Sequence, residues 1–166
     1  MIHSYYERYP SSTVMFRTAL SIIIFIIGAI ILMGFGRSVA IGYLVFSAIM
    51  MVWFMRFRCK YCYYYGKVCT AGFGSLAPMF FKRGDNRKFP QYVEHAYPIF
   101  LVWALPTFGG IVLLILNRTL EALGLLVIFI LLSFVFSERT LKKYGCDYCK
   151  QKANCPTYQF KHGRKN

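Results

Sequence analysis

The sequence predicts an all-α integral membrane protein: four transmembrane helices set as two tandem hairpin repeats, each followed by a Cys-rich metal-binding segment on the cytoplasmic side. Three observations predict it. Four long runs carry no charged residue, a cysteine triad stands after each pair of runs, and the basic residues collect between the runs rather than inside them. The totals agree. A chain of 166 residues at 57 % hydrophobic, with mean hydropathy +0.46 and net charge +14, can hold both extremes only if they are segregated. The basic charge flanks membrane-length segments, so anionic lipid is the expected partner and nucleic acid is not.

The first repeat is assigned to residues 1–95. Thr18 to Gly36 is uncharged for 19 residues. At helical rise this is roughly 28 Å, enough for a hydrocarbon core. Arg37 interrupts, and Ser38 to Met55 is uncharged for a further 18 residues. So short a connection makes the two helices antiparallel neighbours, and Gly28, Gly34, Gly42, Ser47 and Ala48 would let them approach closely. The triad Cys59, Cys62 and Cys69 follows. Gly72-Phe73-Gly74 reads as a turn, and 75–83 as an interfacial segment, too short to span and closed by Lys82-Arg83.

The second repeat is assigned to residues 96–166. Ala96 to Asn117 is uncharged for 22 residues and contains Pro98, harmless in a first turn, and Pro106, which should kink the helix. Ala122 to Ser137 is uncharged for 16 residues and is extended to about 120–137 by Leu120 and Glu121. The triad Cys146, Cys149 and Cys155 and a basic tail close the chain. Cys59 to Cys146 and Cys62 to Cys149 are each 87 residues apart, and Cys69 to Cys155 is 86. Each unit has an even number of spans, so both triads fall on one side, as in a parallel repeat. Of 20 Lys and Arg, only Arg37 and Arg118 sit in the short turns. The positive-inside rule then puts both termini and both triads in the cytoplasm.

Six cysteines in a reducing compartment are not expected to be structural disulfides. C-x-x-C is a two-point metal ligand, because a turn can aim both sulfurs at one centre. Each triad is one ligand short of a four-thiolate site. His162 or His95 could complete it, the two triads could converge on one site, or three Cys could hold a cubane cluster. Iron–sulfur is placed ahead of zinc, because a redox centre explains a position beside a membrane bundle and a structural clamp does not. Cys155-Pro156 resembles the end of bacterial ferredoxin motifs, although the spacing differs. Haem is not expected: Tyr63 and Lys150 follow the two pairs where C-x-x-C-H would need His, and the histidines lie outside the apolar runs.

No acid–base set is visible, and the spans hold no internal carboxylate, Lys or Arg, which argues against an ion-coupled transporter. Ser21, Ser47, Thr107 and Ser133 are read as helix–helix glue. Tyrosines crowd the triads, either as an interfacial belt or as a dry wall around a centre. The expected function is an electron-transfer or anchor subunit of a larger membrane redox complex, with a larger protein partner and a quinone-like carrier. The architecture resembles small membrane subunits that anchor redox enzymes. The alternatives are a membrane thiol–disulfide oxidoreductase using the C-x-x-C pairs, and a zinc-clamped accessory subunit.

Overall fold

A computed structural model describes residues 5–117, 120–137, 139–140, 145–156 and 158. The described residues are mostly helical, with no strand among them. The helices are α1 (Ser11–Met33), α2 (Arg37–Phe57), α3 (Phe73–Phe80), α4 (Phe89–Tyr92), α5 (Leu101–Asn117) and α6 (Leu120–Ile130), the last running on as a π-helical turn over Leu131–Phe136. Single 3₁₀ turns carry Cys59–Tyr61, Cys146–Tyr148 and Lys152–Asn154.

Three helical stretches are long and apolar enough to cross a membrane: Ser11–Met33 with 23 residues, Arg37–Tyr61 with 25 and Asn86–Leu116 with 31. The fourth apolar run is helical over Leu120–Phe136 and is shorter than these three. Large apolar side chains stay exposed along the helices, among them Ile22, Ile26, Ile49, Phe108 and Ile115. A soluble domain does not leave so continuous an apolar perimeter in water.

Contacts divide the chain into two compact units that run across the expected repeats. One contains the described parts of 1–18, 53–97 and 139–166, and so holds both triads; the other contains those of 19–52 and 98–138.

In the helical unit, Leu20, Ile24 and Ile31 of α1 pack with Leu113 of α5 and Phe129 of α6. Another face of α1, with Ala29 and Leu32, packs with Tyr43 of α2 and Val102 of α5. Pro106 is buried in α5 and has no N–H for the carbonyl of Val102, four residues back. The Tyr43 hydroxyl supplies the donor at 3.1 Å. Gly28 makes room for this: a Cβ there would stand 2.8 Å from the Tyr43 hydroxyl and 3.0 Å from Pro106 Cγ. Gly34 likewise meets Leu113, while Gly42 faces open space.

Two of the polar residues expected to glue helices together bond within their own helix instead. Ser47 donates to the carbonyl of Tyr43 and Thr107 to that of Trp103, each one turn back on its own helix. Ser133 is buried in the π-helical turn, and its hydroxyl has no partner among the described residues.

In the cysteine-bearing unit, α3 covers most of the segment expected to be interfacial. Its Ala77 is fully buried against Met55 and Cys59. Leu76, Met79 and Phe80 are exposed on the other side. The turn expected at 72–74 is present, with Gly72 in the left-handed region at φ +77° ahead of α3.

Candidate metal centre

The two C-x-x-C segments follow the same backbone course. Arg58, at φ −113° and ψ −55°, leads into the 3₁₀ turn Cys59–Tyr61, and Cys62 leaves it extended at φ −80° and ψ 151°. Gly145, at φ −118° and ψ −71°, leads into Cys146–Tyr148, and Cys149 leaves extended at φ −81° and ψ 125°. The Cys62 N–H donates to the Cys59 carbonyl at 3.2 Å, and the Cys149 N–H to the Cys146 carbonyl at 3.3 Å. This bond closes a tight turn between two thiol-bearing residues, the local geometry that lets a C-x-x-C pair act as a two-point ligand.

The likeness continues outward. Tyr65 N–H donates to the Cys62 carbonyl as Lys152 N–H does to that of Cys149. Lys67 N–H donates to the Tyr64 carbonyl as Asn154 N–H does to that of Gln151. After the third cysteines, Gly72 N–H donates to the Cys69 carbonyl and Tyr158 N–H to that of Cys155, each at 3.0 Å.

Backbone N–H groups also reach the sulfurs. Gly74 N–H donates to Cys69 Sγ at 3.2 Å. A substituent at Gly74 would stand 2.5 Å from the Tyr64 carbonyl oxygen and 2.6 Å from that of Lys67, so only glycine fits there. The backbone N–H of Tyr64 acts on the Cys62 sulfur, and that of Gln151 on the Cys149 sulfur. Such donors favour thiolate over thiol. Burial opposes them and wins. It pushes the Cys62 thiol up to about 12, helped by the charges of Cys149 and Cys69, with Arg58 pulling the other way. Burial raises Cys149 too, helped by Cys155 and Cys146, and Arg58 again opposes.

The segments meet through a reciprocal pair of hydrogen bonds. Tyr63 N–H donates to Gln151 Oε1 at 3.1 Å, and Lys150 N–H donates to the Tyr64 hydroxyl at 3.2 Å. Residues 5–10 strap across both triads. Tyr6 N–H donates to the Tyr148 carbonyl, Tyr9 N–H to that of Val68, and the Tyr9 hydroxyl to that of Gly145 at 2.6 Å. The Tyr64 hydroxyl donates to the Tyr6 carbonyl at 2.7 Å. The rings of Tyr6, Tyr9, Tyr64 and Tyr148 lie 5.0–5.4 Å apart along this strap, with Tyr9 and Tyr64 buried. Tyr61 stands apart from this row and stacks on Tyr92 at 4.4 Å, and Tyr65 donates to the Phe81 carbonyl.

All six cysteines are free thiols, Cys59 buried and the others half-buried. Among the described residues no three His, Cys, Asp or Glu side chains converge as metal ligands do. His95 is exposed and stacked flat on Phe57 at 5.5 Å, while its carbonyl accepts from Trp53 Nε1. His162 lies outside the described residues. Gln151, Gly74 and the Tyr6–Tyr9 strap contact the cysteine segments although spacing did not announce them. The one available signal was the density of tyrosine in residues 5–9. Compared with known protein families, with curated proteins and with solved structures, the chain matches none.

Proposed function

We propose that this chain is a multi-pass membrane protein holding a cysteine-ligated metal centre, as an iron–sulfur electron-transfer or anchor subunit of a larger membrane redox complex. Cys59, Cys62, Cys69, Cys146, Cys149 and Cys155 are the proposed ligand pool. The observation that carries this reading is the doubled turn: two C-x-x-C segments with one backbone course, each closed by the N–H of its second cysteine on the carbonyl of its first. A bound cation supplies the charge that holds buried thiolates ionised; the chain's own N–H donors then orient the sulfurs and tune the centre. The tyrosine wall limits solvent access, which acts in the same direction.

In this reading Leu120–Phe136 is the fourth span, and the chain is two hairpin repeats with termini and triads in the cytoplasm. The exposed Leu76, Met79 and Phe80 of α3, followed by Lys82-Arg83, dip into the headgroups of the same leaflet. A quinone-like carrier and a larger partner complete the electron path.

A zinc clamp is the second reading. Cys59 favours it by packing into an apolar cluster with Met55 and Ala77, so that a metal there would also pin α3. The thiol–disulfide reading ranks behind both, since an attacking thiol needs thiolate near ambient pH and the pairs are buried. The discriminating experiment is an anaerobic redox titration of the full chain followed by EPR. A one-electron signal lost in Cys62→Ser supports electron transfer. EPR silence with stoichiometric zinc refutes it in favour of the clamp.

A further inference from the structure

We infer that the two triads build one shared thiolate–metal centre, with Cys62 and Cys149 as its inner ligands, rather than two separate centres. This deepens the metal reading and rests on it. Tyr63 and Lys150 are equivalent residues, each directly after the second cysteine of its pair, and Tyr64 and Gln151 are equivalent in turn. The bonds Tyr63 N–H to Gln151 Oε1 and Lys150 N–H to Tyr64 hydroxyl are therefore one contact made twice, with the segments exchanged. That is the pattern of an isologous interface, and it places the segments face to face about a local two-fold axis. Cys62 and Cys149 adjoin that contact on either side.

Ligand arithmetic points the same way. Four thiolates make a closed tetrahedral site, and each triad has three. Pooling them fills the site without a histidine, and His95 is held on Phe57. The surroundings are single rather than doubled. One strap, through Tyr6 and Tyr9, ties Tyr148 and Gly145 of the second triad to Val68 of the first. Among the described residues the thiols do not converge in threes, so binding would draw the two segments together across the axis.

The test loads the full chain, metal-stripped in detergent, with zinc as the probe ion and counts sulfur neighbours by X-ray absorption. The expected shell is four sulfurs. A shell of three sulfurs and one nitrogen or oxygen means that each triad works alone and overturns the inference. Cys62→Ser and Cys149→Ser sharpen the result: each should weaken all zinc binding by roughly tenfold or more, whereas retention of half the zinc at unchanged affinity in either variant contradicts a shared centre. If a variant loses its helical circular dichroism, the wild-type sulfur count still decides. A wild-type chain that binds no zinc and carries no metal as isolated overturns the metal reading itself.

Discussion

Cys62 and Cys149 leave their turns with nearly the same φ, and the bonds that close the turns differ by 0.1 Å in length, at 3.2 and 3.3 Å. What stands behind the two turns differs. The first is backed by α3, with Gly74 against Cys69 and Ala77 against Cys59. The second has Gly145 where the first has Arg58, and Gln151 where the first has Tyr64. The duplicated part is the part that would touch a metal. The divergent part supplies the fastening, and there each copy uses what the other lacks: a hydroxyl from Tyr64, an amide from Gln151. Backbone geometry is held where ligand direction matters, and side chains are free to differ where only a hydrogen bond is needed.

The comparison breaks most severely at the cysteines. Cys62→Ser and Cys149→Ser should lower metal retention to the same degree, read as metal per chain after size exclusion; unequal losses would mean that the two turns do different jobs. Next comes Gly74→Ala, which drives a methyl into two carbonyl oxygens and should cost about 1–3 kcal/mol by thermal unfolding. This lesion should loosen Cys69 first, because Gly74 N–H donates to its sulfur.

Tyr64→Phe and Gln151→Leu each leave one N–H of the reciprocal pair unpaired, at about 1–3 kcal/mol. Tyr64→Phe should be the worse, because its hydroxyl also holds the Tyr6 carbonyl. Tyr43→Phe strips the donor from the Val102 carbonyl and should cost roughly 1 kcal/mol in a bilayer with metal content unchanged. His95→Ala is the smallest: the ring stacks on Phe57, so metal content should not move.

Much of this was legible in the sequence. Charge-free runs mark helices because lipid excludes charge, and the three longest runs became the three membrane-length helices. Boundaries moved where tertiary contacts act. α1 begins at Ser11 rather than Thr18, and Arg17 within it donates to Thr70 at 2.9 Å. The third run opens as 3₁₀ helix through Pro98 before α5 begins at Leu101. The triads were legible from spacing alone. Their mutual contact was not, because Gln151 and Tyr64 share no chemistry that a repeat search would pair. Nor was the strap, which joins residues 6 and 9 to residues 145 and 148, a separation beyond any local pattern. The Tyr43–Val102 bond had a partial signal in Pro106, which announces an orphan carbonyl without saying what will serve it.

The central claim is that these cysteines hold metal. Anaerobic purification of the full chain, followed by analysis for iron, zinc and acid-labile sulfide, tests it most directly. If these cysteines hold a cubane, iron and sulfide appear together at about four each per chain. A chain free of iron, zinc and sulfide, with its helices intact and its six thiols titratable, would contradict it.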